Sequence, residues 1–320
     1  MRAGPEIPVI DVSALASDDS AAIDGLAREL GAACRGIGFF YVSGHGIDLS
    51  VISHTFDMAK AFFALPLDTK MDVSMAKSPH NRGYVPFEGE KLDENKPGDL
   101  KETFNIGLEL GPDHPDVVAG KPFRGLNEWP DLPGFRDAML AYFDAVWALG
   151  RQIHRPICRD LGLADDFFEP KLDSPLATLR LLRYPGNSTP KSAEQIGAGA
   201  HTDYGNITLL MPDQVAGLQV RGRDGTWIDA PYIAGAFICN IGDCLMRWTN
   251  DIYVSTPHRV LIPEQERFSI AFFLDPNGDA EVTVLPSCVE EGQSAKYPPT
   301  TGAEYLAQRL DATQEFRQDL

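Results

Sequence analysis

Cysteine is scarce in this chain. Its five copies, Cys34, Cys158, Cys239, Cys244 and Cys288, are odd in number, scattered and free of C-x-x-C spacing. That excludes a disulfide framework or a zinc knuckle and fits reduced thiols in a cytoplasm. Long apolar runs are missing too: no segment approaches the roughly 18 to 20 residues that cross a bilayer, so no membrane partner is expected. The start, MRAGPEIPVIDVSAL, lacks the charged, apolar and small-residue regions of a signal peptide, and a cytoplasmic location is expected. Basic charge is in deficit, with 28 Lys and Arg against 46 Asp and Glu and a formal charge of -18. Such a surface repels polyphosphate, so nucleic acid is not an expected partner. An anionic small molecule would need a local Arg or Lys cluster. Internal repeats, low-complexity tracts and Gly/Ser linkers are also absent, which predicts one domain over residues 1–320.

What is present reads as an α+β protein. Hydrophobic content of 43% and charged content of 23% are ordinary for a globular enzyme. IPVIDVSAL and FFYVSGHGI predict short strands. DDSAAIDGLARELGAACRGIG, LSVISHTFDMAKAFFALP and residues 134–164 carry apolar residues at helical spacing. Residues from about 77 to 133 are rich in Pro, Gly and charge with few periodic runs, which predicts a functional loop or lid. From about residue 175 short β-type runs follow one another, among them LATLRLLRYP, NITLLMP, LQVRG, TWIDAP, AFICNIG, CLMRWT, HRVLI, RFSIAFFLDP and EVTVLP. Asp224-Gly225 sits where a hairpin turn places residues with positive φ. This grammar predicts a sandwich or barrel, with a largely helical region over about 1–165 and a closing helix over about 301–316.

The chemistry begins at HTDYG. Residues two apart on a strand share a face, so His201 and Asp203 would offer a nitrogen and an oxygen to one metal ion. His258, opening HRVLI 57 residues later, supplies a third ligand. Two His and one carboxylate leave three open positions on an octahedral ion, the arrangement of non-haem Fe(II) oxygenases. A second H-x-D, His114-Pro115-Asp116, lies among prolines and is poor material for an inner strand, so the motif alone does not decide between a ligand pair and a hydrogen-bonded surface pair. Arg267 and Ser269 in RFSIAFFLDP also share a face. A guanidinium grips a carboxylate through two charge-assisted hydrogen bonds, and the pair suits the far end of a dicarboxylate. The plainer alternative is an edge-strand Arg in water.

HTDYGNITLLMPDQVAGLQV, NIGDCLMRWTNDIYVSTPHRV and RFSIAFFLDP, preceded by LRLLRYPG, GFFYVSGHGI and IPVIDVSAL, occur in an order that resembles the isopenicillin N synthase-like family of Fe(II)/2-oxoglutarate-dependent dioxygenases over about residues 7–285. The resemblance implies a double-stranded β-helix, or jelly roll, over about 175–285, flanked by the N-terminal helices and the C-terminal helix. It implies that His201, Asp203 and His258 hold Fe(II), and that Arg267 and Ser269, supported by Tyr184, bind the 5-carboxylate of 2-oxoglutarate. Leu182 departs from the pattern, standing where many relatives carry asparagine. With O2, the implied reaction releases succinate and CO2 while oxidising, most often hydroxylating, a small-molecule substrate.

Four residues are candidate substrate contacts: Arg180, on the face of Tyr184; Glu102 and Phe104 in DLKETFNIG; and Phe87 in the expected lid. Each has a plainer reading as an ion pair or as packing. Tyr204 and Asn206 follow the metal motif without an assigned role, and Asp243 reads as a turn residue. The alternatives to the leading reading are a cosubstrate-independent Fe(II) oxidase or ethylene-forming type of the same family, a zinc hydrolase built on the same three ligands, and a silent metal-binding protein.

Overall fold

The helical periodicity of the N-terminal half becomes three long helices, Ser20–Arg35, Leu49–Phe63 and Phe135–Asp160. Asp19 and Asp48 cap the first two by accepting the backbone N–H groups of Ala21 and Ser50, donors that no helical carbonyl can reach. The structure, a computed structural model, describes residues 7–17, 19–92, 97–186, 189–190, 192 and 195–313. No helix among the described residues is long and apolar enough to cross a membrane, and all five cysteines are buried and unpaired.

The strands form two packed sheets of a double-stranded β-helix. The major sheet runs in the order β1 (Val9–Asp11), β2 (Phe39–Ser43), β10 (Phe237–Ile241), β7 (Ile207–Pro212), β12 (Arg267–Leu274), β5 (Thr178–Tyr184), β4 (Glu102–Gly107) and β3 (Gly83–Val85). The minor sheet is β6 (Ala198–His201), β11 (His258–Val260), β8 (Leu218–Arg221) and β9 (Trp227–Asp229). Neighbours pair antiparallel, except that β1 and β2 are parallel. Strand parity sets what each face meets. On β12, Phe268, Ile270, Phe272 and Leu274 join the core beneath the helices, where Phe143 meets Phe272 edge-on at 5.0 Å. The alternate residues Arg267, Ser269, Ala271 and Phe273 face the space between the sheets.

Several expectations are corrected by the fold. The stretch from 77 to 133 is not only loop: it holds β3 and the fully buried β4, and the N-terminal half thereby lends four of the eight strands of the major sheet. β4 escapes the sequence pattern because both of its faces are buried and Glu102 shares a face with Phe104 and Ile106; Glu102 and Asn105 find partners inside the protein. CLMRWT is not a strand. Residues Asp243–Trp248 form a helix whose first N–H groups, on Asp243 and Cys244, donate to the carbonyls of Asp203, Tyr204 and Gly205. Gly242 permits that approach, since a Cβ there would lie 2.3 Å from the Gly205 carbonyl oxygen. In the β8–β9 turn only Gly225 takes a positive φ, of 83°, and Asp224 instead caps Thr226. The C-terminal helix spans Gly302–Thr313; residues 314–316 of the expected helix lie outside the described residues.

Candidate metal centre and its two chambers

His201 ends β6 and His258 opens β11, and the two are direct cross-strand partners in the minor sheet with ring centroids 4.3 Å apart. Asp203 follows two residues after His201, beyond the strand's end. There the loop is pinned by the Asp243–Trp248 helix, whose N-terminal donors grip it. The ligand atoms of the three side chains lie within 4.8 Å of one another, the one such convergent group of His, Cys, Asp or Glu among the described residues. Asp203 Oδ1 is 3.8 Å from His201 Nε2 and 3.6 Å from His258 Nε2.

The surroundings commit each ligand to one free atom. His201 Nδ1 bonds to the Gly199 carbonyl at 2.7 Å and His258 Nδ1 to the Thr256 carbonyl at 3.2 Å, so both rings donate from Nδ1 and turn an Nε2 lone pair inward. Asp203 Oδ2 accepts from Thr208 Oγ1 at 2.6 Å and from Asn240 Nδ2 at 2.7 Å, which leaves Oδ1 open. Burial, and then the neighbouring His258, hold the His201 imidazole in its neutral form, far below the usual histidine range. Burial opposes the charge on Asp203, yet His258, His201 and the two hydrogen bonds outweigh it and keep the carboxylate ionised. Two imidazole nitrogens and a carboxylate oxygen converging at the edge of a cavity fit a ferrous ion that keeps three positions for other ligands. The second H-x-D does something else: His114 caps a short helix through Asp116 N, and Asp116 pairs with Lys121 at 2.6 Å.

Two cavities meet at this triad, sharing Leu92, Arg180, His201, Asp203 and Phe273. The inner one reaches Tyr184, Leu182, Arg267 and Ser269. Arg267 is 1% exposed and fixed on three sides: Nε donates to the Val215 carbonyl, Nη1 to Ser269 Oγ at 3.3 Å, and the guanidinium lies 4.9 Å from the Tyr184 ring centroid. Burial raises the Tyr184 phenol above its ordinary range, so it stays a donor. Leu182 faces the cavity directly opposite Ser269 across the β5–β12 pair.

The outer cavity is lined by Asn81, Glu90, Thr178, Arg180, Tyr204 and Asp275, and by Leu306 and Leu310 of the C-terminal helix. Arg180 bonds Glu90 at 3.1 Å and Asn105 at 2.9 Å. Glu90 also meets Lys101 at 3.0 Å, and Lys101 lines the inner cavity and holds Asp99. Burial opposes charge on Glu90, but Arg180 and Lys101 overcome it and hold its carboxyl down to about 2.

Three expected contacts fall elsewhere. Glu102 and Phe104 sit on the other face of β4. Glu102 is bound by Lys70 at 2.7 Å and by Tyr84 and Arg183, and Phe104 packs against Phe62 at 4.6 Å. On the opposite face, one position away, Lys101 lines the inner cavity and Asn105 holds the cavity-lining Arg180 by accepting from its Nε. A single step along a strand inverts the face, and that parity was the available signal. Phe87 is 37% exposed and lines neither cavity; Asn81, Glu90 and Leu92 are what this segment brings to the centre. Asn206 turns away to His154, at 3.2 Å. Asp243 is no ligand: it accepts from Thr202 and Tyr305, tying the metal loop to the C-terminal helix. Thr208 and Asn240, which orient Asp203, were missed because hydrogen bonds that cross between strands leave no spacing signal.

Residues 7–132 match the family described as non-haem dioxygenase in morphine synthesis N-terminal, and residues 175–276 match the 2OG-Fe(II) oxygenase superfamily. The chain is 38% identical over 303 residues to the 2-oxoglutarate-Fe(II) type oxidoreductase hxnY of Emericella nidulans, covering 92% of this chain and 86% of that one. It is 38% identical over 319 residues to a homoarginine-6-hydroxylase of Oryza sativa subsp. japonica, covering 95% and 96%. Among solved structures, a full-length Neurospora crassa protein in complex with alpha-KG and thymine superimposes with a TM-score of 0.84 at 33% identity, covering 96% of both chains.

Proposed function

The chain belongs to the 2OG-Fe(II) oxygenase superfamily, and on that premise we propose that the inner cavity seats 2-oxoglutarate between the metal and Arg267, while the outer cavity presents a small molecule for hydroxylation. With its cosubstrates, ferrous iron at His201, Asp203 and His258 supplies the oxidative decarboxylation that releases succinate and CO2 and oxidises a substrate C–H bond.

The protein's own groups bind and orient. Arg267 and Ser269 offer N–H and O–H donors to the distal carboxylate of the cosubstrate, with Tyr184 stacked against the guanidinium so that it cannot swing away. The apolar Leu182 limits that end of the site to these donors. Arg180, locked to Glu90 and Asn105, forms the wall between the two cavities, and Phe273 gives that wall an apolar face. Leu306 and Leu310 roof the outer cavity, which keeps water from the reacting centre.

One observation carries this reading: the unengaged ligand atoms and the Arg267–Ser269 receptor open into the same buried cavity. The test is Arg267→Leu. Losing two charge-assisted bonds of about 1.5 to 3 kcal/mol each predicts an apparent 2-oxoglutarate KM raised by about 10²-fold or more. Bound iron, measured by metal analysis, should be unchanged. An unaltered KM removes Arg267 from the receptor.

A further inference from the structure

The outer cavity has a charge left over. Glu90 is matched by Arg180 and Lys101, and Asp203 is a metal ligand. Asp275 is 6% exposed and lines the cavity, yet among the described residues no donor forms a hydrogen bond or ion pair with its carboxylate. Burial, and then the neighbouring Asp203 carboxylate, push the Asp275 carboxyl up to about 7; buried Arg82 opposes this from a distance, its Nη groups donating to the carbonyls of His80, Asn81 and Phe123 while its Nε–H has no hydrogen-bond partner. A buried carboxyl without a partner tends to give up its charge, and a cation brought beside it from the cavity favours the charged form and completes it.

Its place on the strand sharpens the argument. Asp275 follows the end of β12 at even spacing from Arg267, Ser269, Ala271 and Phe273, so the face that begins with a cation at the inner cavity ends with an anion at the outer one. Phe273 lies beside Asp275 on that face and offers an aromatic wall. A carboxylate next to an aromatic face suits a planar or compact cation.

We propose that Asp275 is the substrate-specificity residue of this enzyme, and that its ligand is a small molecule carrying a cationic nitrogen group, guanidinium or ammonium. The inference rests on the outer cavity being the substrate site. Wild type and Asp275→Asn, loaded with Fe(II) and 2-oxoglutarate under argon, are titrated by calorimetry with L-homoarginine, agmatine and L-lysine. Homocitrulline, the neutral ureido isostere of homoarginine, and thymine serve as uncharged probes. The expected result is that at least one cationic probe binds wild type tenfold or more tighter than the neutral probes, and that Asp275→Asn loses that preference. Equal binding of cationic and neutral probes, no binding of any cationic probe, or an unchanged preference in the variant overturns the proposal. The wild-type comparison alone decides if the variant does not fold. A separate arm follows succinate made by loaded wild type in air without probe: its absence would count against the oxygenase reading, while the binding comparison stands apart from it.

Discussion

The inner and outer cavities share a wall and two of the three metal ligands, His201 and Asp203, but are built differently. Apart from Leu92 and Lys101, strands and the metal loop at the end of β6 line the inner one, with its key groups at alternate positions of β5, β7 and β12. The outer one borrows Asn81 and Glu90 from the segment before β4, Tyr204 from the metal loop, and Leu306 and Leu310 from a helix about 100 residues beyond it. On the proposed reading, the cosubstrate end is held mainly by the pleat, while the substrate end draws on connecting segments that can vary without disturbing it.

The largest expected effect tests the shared boundary. His201→Ala should abolish both iron retention by metal analysis and succinate formation; normal turnover would dissolve the distinction between the cavities by removing their common centre. Phe104→Ala should cost about 3 to 5 kcal/mol in denaturant unfolding and leave the ranking of substrates unchanged, because its ring fills the helical core instead of either cavity; a changed ranking would return β4's even face to the site. Thr208→Val should weaken Fe(II) binding by about 10- to 100-fold, read by metal titration, through the freed Asp203 Oδ2. Smallest is a pH effect. The Glu90 carboxyl is held at about 2, below its ordinary 4.5, so its contribution to stability is complete above about pH 4.5 and is lost as pH falls through 2. Glu90→Gln should flatten the fall in melting temperature across that window, and an identical acid profile would detach Glu90 from the Arg180–Lys101 wall.

The sequence carried the metal ligands and the Arg267–Ser269 pair because four motifs occur in family order; i, i+2 spacing alone was weak, and it holds on a strand only for Arg267 and Ser269, since Asp203 lies beyond the end of β6. The three N-terminal helices were legible through apolar residues at helical spacing. β4 was not, since ETFNIG alternates over only four residues, Thr103 to Ile106, and a buried Glu102 shares the face of Phe104 and Ile106. Without its register, Glu102 and Phe104 were taken for Lys101 and Asn105. CLMRWT misled for another reason: its helix is set by the carbonyls of residues 203–205, a tertiary contact about 40 residues away. Asp275 stood in plain view in FFLDP, but its lack of a partner is a property of the folded interior alone.

The Asp243–Trp248 helix has an implication for heat and metal loss. Its opening donors grip the loop that carries Asp203, and Asp243 also accepts from Tyr305 of the terminal helix. Fraying of the chain's end would therefore be transmitted through one carboxylate to the loop beside the iron, so that cofactor leakage, and not global melting, should be the first symptom of a loosened terminus.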